Sequence, residues 1–456
     1  MPVLSLPHVD RPLLSVVMVT YGGWDWPRRA LDALRRRTDP IYEVVVVDNA
    51  SPDETSTRLR DEVRGATLIF NDRNLGFATA ANQGAGQATG RYLCFINPDA
   101  LVQPGWLPPL IETLETFSAA GAVVPRFLAP DGTVDEAGSL VDRDARTLAY
   151  GRGGDARDPQ LRFRRVIDYG SAACLVLPTW AFRRAGGFDP VFHPAYCEDV
   201  DLLLTLRSLG FSTVYDPRST VVHAGAGSSD DVVRGTLIDR NRPILLSRWA
   251  ETLANRPTLL ELEDHRHRVF AVRDASITDR LLVALEGGIP GPLESLAEHL
   301  AAARPDLRVT VLRVGGRDGS SPGSRDAELL GSGVEAVAPA DPGGWLEERR
   351  LHYTAAILDG PMVAARLEPS LRRSQPEITR AYVAADGQDA DPVHPRGATG
   401  WRSSEVSAMR EASAVLFRSE AGRRTAGIVA PGVPTFHLDD LGEATDLLSL
   451  LGIAPA

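Results

Sequence analysis

The sequence predicts two α/β domains in tandem, the first built on a mostly parallel sheet with helices on its faces. Three observations lead there. The chain has 456 residues, more than one ordinary core holds, so two domains of roughly 100–250 residues are expected. Short apolar, β-branched runs alternate with amphipathic stretches, the pattern of strands joined by crossover helices. Composition shifts near Arg256–Arg268, and a second β/α series begins beyond it. The division is therefore drawn between residues 1–262 and 263–456.

The first domain reads in order. Leu14–Thr20 is an apolar run expected as a buried strand. Asp25 caps the next helix, with Pro27 in its first turn. Glu43–Asp48 is a second strand, and Ser51-Pro52-Asp53-Glu54 forms a capping box with proline at the first helical position. Ala66–Asn71 is a third strand, and Asn74–Thr89 a helix ended by Gly90. Tyr92–Asn97 is a fourth strand, running into Asn97-Pro98-Asp99. Residues 126–167 are polar and Gly-rich, expected as loops and short strands over the site. Tyr169–Leu177 reads as a strand, Glu198–Leu209 as a helix closed by Gly210, then short strands up to His223 and a helix over Arg240–Trp249.

In the second domain Leu281–Leu285, Val309–Leu312, Ala355–Leu358, Arg380–Ala384 and Ala414–Phe417 are strand candidates, with a helix over Leu293–Ala303. The pattern is that of a smaller, Rossmann-like α/β domain. Residues 314–332 and 385–403 are Gly/Asp/Arg/Ser-rich and expected as mobile loops. No short internal repeat is present.

Composition removes several classes. Net charge is −11, which disfavours a sequence-independent grip on nucleic-acid phosphates. All 49 basic residues are arginine, so a Walker P-loop lysine and a Schiff-base lysine are excluded. Cys94, Cys174 and Cys197 are far apart and show no C-x-x-C spacing. They read as buried free thiols of a reducing compartment. No basic-then-apolar signal pattern opens the chain, and no apolar run reaches the roughly 18 residues of a membrane span. The expectation is a cytoplasmic protein, with peripheral contact at the inner face of the membrane left open.

Ligands of open parallel sheets bind beyond the carboxyl ends of the strands. Three residue groups sit at such ends. Asp48, with Asn49 and Ser51, closes the second strand, where a carboxylate can accept from a base or ribose, or simply shape the turn. Asn97-Pro98-Asp99 closes the fourth; a carboxylate held by proline suits a hard divalent cation, or belongs to an ordinary Asn-Pro turn. Tyr196-Cys197-Glu198-Asp199-Val200-Asp201 gathers three carboxylates where a helix opens. The N-terminal dipole suffices to explain them; a general base is the sharper reading. His223 is a metal-ligand candidate. Gly84, Gly86 and Gly90 mimic a dinucleotide fingerprint, but they lie in and after a helix rather than between strand and helix.

Together these pieces resemble glycosyltransferase family 2, in its rhamnosyltransferase-like branch with a GT-A fold. The resemblance is carried in order by Val17-Met18-Val19-Thr20-Tyr21, Val47-Asp48-Asn49-Ala50-Ser51, Asn74-Leu75-Gly76-Phe77-Ala78 with Asn82 and Gly84, Asn97-Pro98-Asp99-Ala100, Gly186-Gly187-Phe188-Asp189, Glu198-Asp199-Val200-Asp201-Leu202 with Arg207 and Gly210, His223, and Arg240-Asn241-Arg242. It implies that Thr20 and Asp48 line a nucleobase and ribose pocket, with Tyr21 and Asn49 beside them. Asn74, Gly76 and Asn97 would border the donor. Asp99 would be the surviving carboxylate of an Asp-x-Asp metal motif and His223 a second ligand, for Mg²⁺ or Mn²⁺. Asp199 would be the catalytic base, with Glu198, Asp201 and Arg207 on the acceptor side or in support. Asn97 stands where the motif has its first aspartate, and Gly22 where the family usually has asparagine.

The implied activity is inverting, metal-dependent transfer of a sugar from a UDP- or dTDP-sugar to a hydroxyl of a carbohydrate or lipid-linked acceptor, in cell-surface polysaccharide or glycoconjugate synthesis. Two other readings stay open on residues alone. A sugar-nucleotide nucleotidyltransferase shares the architecture but carries a basic, Gly-rich phosphate loop and a catalytic lysine. A catalytically inactive carbohydrate-binding scaffold would not need Asp99, Asp199 and His223. The second domain is more distantly similar to one half of a family 4 (GT-B) glycosyltransferase, on Leu281–Ala303 and Ala412–Ser419, and is expected to be non-catalytic.

Overall fold

The computed structural model describes residues 3–37, 41–225, 231–259, 261, 269–275, 277–286, 291–304, 306–315, 324–384, 403–420, 423–424, 427, 430–438 and 445–453. The chain divides into two compact units, Met1–Arg273 and Asp274–Ala456. Residue 262, where the sequence drew its boundary, lies outside the described residues; the first unit continues through a helix over Val269–Arg273.

In the first unit the elements are β1 (Leu4–Ser5), β2 (Leu14–Thr20), α1 (Asp25–Arg37), β3 (Tyr42–Asp48), α2 (Thr55–Glu62), β4 (Val63–Arg64), β5 (Thr67–Phe70), α3 (Phe77–Gln87), β6 (Tyr92–Ile96), β7 (Ala100–Val102), α4 (Leu107–Thr116), β8 (Ala120–Leu128), β9 (Val134–Glu136), β10 (Ser139–Val141), β11 (Thr147–Ala149), β12 (Arg165–Ile167), β13 (Cys174–Pro178), α5 (Thr179–Ala185), α6 (Glu198–Ser208), β14 (Ser212–His223) and α7 (Asp231–Leu253). The main sheet runs β12-β14-β8-β13-β6-β2-β3-β5, with β7 on β14 and β9 on β8. Strands β6, β2, β3 and β5 are parallel, whereas β13 lies antiparallel between β6 and β8.

Period-2 alternation divides the strand side chains between two cores. Val16, Met18, Val44 and Val46 pack with Leu31, Leu34 and Leu110 on one face, and Val45 and Val47 meet Ala80 on the other. Helix α3 approaches this second face closely because Gly84 has no side chain: a Cβ there would stand 2.4 Å from Val17 Cγ1.

Register sets the functional edge. Thr20 pairs with Asp48, Asp48 with Phe70, and Met18 with Ile96, so the parallel strands end together. Antiparallel β13 starts at that edge, with Cys174 opposite Ile96, and β14 ends there, with His223 opposite Ala100. Strand β9 folds back on β8, Glu136 opposite Phe127.

Three sequence expectations are corrected. The helix expected from Ser51-Pro52-Asp53-Glu54 begins only at Thr55, because the Ser51 hydroxyl is drawn to Asp48 instead of capping. The strand expected from Tyr169 starts at Cys174, because the Ser171 and Ala172 amides bond to carboxylates rather than to a neighbouring strand. The short strands expected before His223 form one long strand, β14. Cys94, Cys174 and Cys197 are free and buried.

The second unit holds a seven-stranded parallel sheet. In sheet order its strands are Glu335–Val337, Leu307–Val314, Asp279–Glu286, Ala355–Asp359, Thr379–Val383, Ala414–Phe417 and Thr435–His437. That is the doubly wound order, in which the first strand is central and the chain reverses direction beside it. Part of the expected loop 314–332 is helical, over Ser324–Ser332, and residues 316–323 and 385–402 lie outside the described residues. Among the described residues, no helix is long and apolar enough to cross a membrane.

Two glycines of α3 test the close packing. Gly84→Ala is expected to lower stability by about 1–3 kcal/mol through overpacking against Val17. Gly86, where a Cβ meets nothing within 4 Å, should gain up to about 1 kcal/mol on change to alanine, from helix propensity. Urea midpoints of the two variants provide the check.

Candidate active site

The strand ends border a cleft of about 470 Å³, within the range of small-molecule sites. One wall is Val19, Tyr21, Gly22, Gly23, Trp26, Pro27, Asn49, Asn74 and Phe77; the middle is Asn97, Pro98 and Asp99; the other wall is Ser171–Ala173, Pro194–Tyr196, Glu198, Asp199, Val233 and Leu237. Three of these residues are carboxylic acids, and none of the described lining residues is basic.

Thr20 and Asp48, expected to line a nucleobase pocket, lie behind the wall instead. Asp48 is 1% exposed. Its carboxylate accepts from the Thr20 hydroxyl at 3.0 Å, from the Ser51 and Ser56 hydroxyls, and from the Ser51 amide at 3.4 Å. Four donors leave it little capacity for a ligand. Its role is indirect: the Gly22 amide donates to Ser51 Oγ at 2.7 Å, which fixes the Tyr21-Gly22-Gly23 wall.

Asn49 is the hub of that wall. Its Nδ2 donates to Asn74 Oδ1 at 2.9 Å, and its Oδ1 accepts from the Leu75 amide and from Asn71 Nδ2, both at 3.0 Å. Asn74 also accepts from the Gly76 amide at 2.9 Å. Gly76, with φ +80°, starts α3; a Cβ would stand 2.8 Å from the His193 ring and 2.9 Å from Pro194 O, so glycine lets the 193–194 segment close over the site. Asn82 pairs through both amide atoms with the backbone of Phe188, at 2.7 and 3.0 Å, and so ties α3 to the Gly186–Asp189 turn.

In the middle, Asp99 and His223 lie side by side. Asp99 Oδ1 is 3.6 Å from His223 Nε2, and His223 Nδ1 is 3.1 Å from Asp135 Oδ2. Burial alone would lower the imidazole pKa, but hydrogen bonds to Asp135 and Asp99 outweigh it and lift it to about 9. Asp99 is 2% exposed, and its Oδ2 has no hydrogen-bond partner among the described residues. No group of three or more metal-ligating side chains forms among the described residues. An orphaned carboxylate oxygen beside an imidazole is a donor set that could hold a divalent cation.

On the far wall, Asp199 sits in the first turn of α6. Its Oδ2 accepts from the Ala172 amide at 3.3 Å and its Oδ1 from the Val200 amide at 2.8 Å. Burial raises its pKa despite those amides. Glu198 beside it is pushed well up, by burial and then by the Asp199 charge, and its Oε2 has no partner among the described residues. Asp201 and Arg207 leave the cleft. Asp201 accepts from Arg248 at 2.9 Å and from Trp249 Nε1 at 2.9 Å, and Arg207 pairs with Asp168 at 3.0 Å. The helix period explains it, since residues two apart face apart. Tyr196 and Cys197, which lead into the helix, both have φ of 76°, a left-handed geometry held by tertiary bonds. Asn241 supplies them: its Nδ2 donates to Phe192 O, Ala195 O and Tyr196 O.

Residues 15–174 match the model of glycosyl transferase family 2. The first unit belongs to glycosyltransferase family 2. The transferase is 29% identical to the N-acetylglucosaminyl-diphospho-decaprenol L-rhamnosyltransferase of Mycobacterium tuberculosis, over 48% of this chain and 78% of that protein. It is 26% identical to the validoxylamine A glucosyltransferase of Streptomyces hygroscopicus subsp. jinggangensis, over 60% of this chain and 72% of that one. Among solved structures it resembles a mannosyltransferase of Pyrobaculum calidifontis at TM-score 0.37 and 19% identity, over 67% and 85% of the two chains. As an enzyme the chain is a glycosyltransferase.

Sequence reasoning gave Asp135 and Glu136 of β9 no role; they fall among the loops and short strands expected over the site. Nothing in their local pattern marks them; the pairing of β9 with β8 brings them in. Glu136 is buried, and its Oε1 accepts from the Ser171 amide at 3.2 Å. Burial, with the charges of Asp199 and Asp135, pushes its pKa up to about 7. The sign follows. Between the unfolded value near 4.5 and about 7, the folded chain holds a proton that the unfolded chain has released, so stability falls as pH rises through that window. Glu136→Gln cannot ionise. Its melting temperature relative to the parent should therefore be higher at pH 8 than at pH 5, as read by paired thermal melts.

Proposed function

We propose that this transferase moves a sugar from a UDP- or dTDP-sugar to an acceptor hydroxyl by single displacement with inversion, assisted by Mg²⁺ or Mn²⁺. The observation that carries the reading is the charge of the cleft: it gathers Asp99, Glu198 and Asp199, with no basic side chain among its described lining residues. A sugar diphosphate would enter such a cleft against repulsion unless a cation came with it. Asp99, through its orphaned Oδ2, and His223 are the residues that would hold one. The chemistry such an ion would supply there is neutralisation of the charge that builds on the departing diphosphate.

The chain's own groups do the rest. The wall of Tyr21, Gly22, Gly23 and Trp26, pinned through Ser51, offers aromatic and backbone surface to a nucleobase. The Asn49–Asn74 amides offer polar groups beside it. Asp199, on the opposite wall, takes the proton of the acceptor hydroxyl as its oxygen bonds to the anomeric carbon and the bond to the diphosphate breaks. A raised pKa makes it a better match for that proton near neutral pH. One base opposite the leaving group gives inversion; no second, nucleophilic carboxylate is required.

The rhamnosyl and glucosyl transfers named for the two relatives support a hexose donor. The lipid-linked substrate in the first relative's name supports a carbohydrate or lipid-linked acceptor, and a place in cell-surface polysaccharide or glycoconjugate synthesis. On this reading the protein is cytoplasmic, or peripheral at the inner face of the membrane. The second unit is read as non-catalytic, because an enzyme of the family 4 type needs two such halves.

Two results are expected. Excess chelator should abolish turnover and Mg²⁺ or Mn²⁺ restore it, while Asp99→Ala loses metal-dependent donor binding; full activity in chelator would sink the metal assignment. Asp199→Asn should lose roughly 10²–10⁴ in rate and keep donor affinity within a few-fold, read by calorimetry and initial rates on one preparation. Near-normal transfer by that variant would move the base elsewhere.

A further inference from the structure

Strand β9 does not pair evenly with β8. Phe127 lies opposite Glu136 and Leu128 opposite Val134, so Asp135 is an extra residue between two paired ones. A bulge of this kind re-aims the side chain it carries. Here the side chain is aimed at His223, the last residue of β14, and Asp135 Oδ2 stands 3.1 Å from His223 Nδ1. The other ring nitrogen, Nε2, faces Asp99 Oδ1 at 3.6 Å. Asp99 lines the cleft, and Asp135 is outside its described lining. The imidazole thus stands between a carboxylate of the cleft and one behind it.

Asp135 is itself held from its far side. The largely exposed Arg152 brings Nη2 to 3.3 Å from Asp135 Oδ1, and its Nε donates to the Asp135 carbonyl at 3.2 Å. One carboxylate oxygen therefore faces a guanidinium and the other the imidazole, which fixes the plane of the carboxylate. The Phe127 ring packs beside the same histidine, 5.9 Å between centroids and tilted 59°. A histidine that only balanced the charge of Asp99 would need neither the bulge nor the arginine behind it.

We propose that Asp135 is a positioning residue for His223: by accepting from Nδ1 it fixes the ring so that Nε2, beside Asp99, is the nitrogen offered to a divalent cation. The proposal rests on the reading of Asp99 and His223 as the residues that would hold the ion. An ionised carboxylate can only accept a hydrogen bond. The nitrogen that faces it keeps a proton, and coordination falls to the other nitrogen. The same acceptor makes the ligating nitrogen more basic. Asp135 touches neither donor nor ion; its effect passes through the imidazole. A carboxylate that merely attracted a cation through space would act whichever nitrogen carried the proton, so the state of the ring separates the two accounts.

The test uses the full chain and reads the ion and the ring separately. Mn²⁺ is titrated in with UDP and, in a parallel series, with dTDP, and the free ion is followed by its electron paramagnetic resonance signal. Asp135→Ala should bind Mn²⁺ about 10–100-fold more weakly than the parent. If a melting curve shows the alanine variant unfolded, Asp135→Val takes its place, since a β-branched side chain suits a strand. The ring is read from ¹⁵N-labelled histidine with Mg²⁺ and the same nucleotide. The His223 signals are identified by their loss in His223→Ala. The parent should carry the proton on Nδ1 and none on Nε2, and the variant should lose that preference. Unchanged Mn²⁺ affinity in the variant overturns the proposal, since a merely structural ion pair gives that result. Weaker affinity with the ring nitrogens unchanged also overturns it, because only through-space charge then remains. A parent that takes up no Mn²⁺ with either nucleotide is a different failure: it removes the metal reading, and this proposal with it.

Discussion

The Asp99, Asp135, Glu136, Glu198 and Asp199 carboxyls gather at the carboxyl edge of one sheet, and the cleft that Asp99, Glu198 and Asp199 line holds no basic side chain among its described residues. Buried negative charge is expensive unless something compensates it. Each acid at this edge is compensated differently, and the differences divide the labour. Asp48, one layer behind, is saturated by three hydroxyls and an amide, so it serves as a structural pin. Asp135 has an imidazole. Glu136 and Asp199 accept from backbone amides. Asp99 and Glu198 each keep an oxygen with no partner among the described residues. Unspent acceptor capacity in a cleft is what a ligand or its counter-ion can use.

The halves of the site are joined by a three-residue strand. Along β9, successive side chains point to opposite faces. Asp135 reaches His223 and, through it, Asp99; Glu136 reaches the Ser171 amide, next to the one that holds Asp199. Both placements follow from the pairing of β9 with β8, and of β8 with β14, the strand that ends at His223. A shift of one residue in β9 would exchange the two faces. Asp99 with His223, and Asp199, are thus linked through the backbone pairing of β9 and β8.

The second unit is built on other terms. Its seven strands are all parallel, so both faces are covered and its buried charges are paired within the fold. Arg308 meets Asp274 at 2.8 Å, and Arg313 and Arg325 both reach Glu294. Arginines hold these acids, whereas Glu198 and Asp199 of the first unit have no arginine or histidine partner among the described ion pairs.

By itself the sequence determined what local pattern can encode. The runs Leu14–Thr20 and Ala414–Phe417 are strands with the expected ends. Asp99 follows the end of a parallel strand, and Asp199 opens a helix, as their local patterns suggested. The period of α6 separated Asp199 from Asp201, because helix geometry is local. Tertiary structure decided what depends on partners distant in sequence. The Ser51 hydroxyl could cap a helix or bind Asp48, and the burial of Asp48 settled the competition. Residues 169–173 carry an apolar strand pattern, yet carboxylates from residues 136 and 199 claim two of their amides. Asp48 and Thr20 left the pocket wall because their hydrogen-bonding capacity is spent on each other and on two serines. Asp135 and Glu136 carry no signal at all until β9 pairs with β8. Sequence pattern fixes which groups are available along the chain; long-range pairing and the cost of buried charge decide which of them face a ligand.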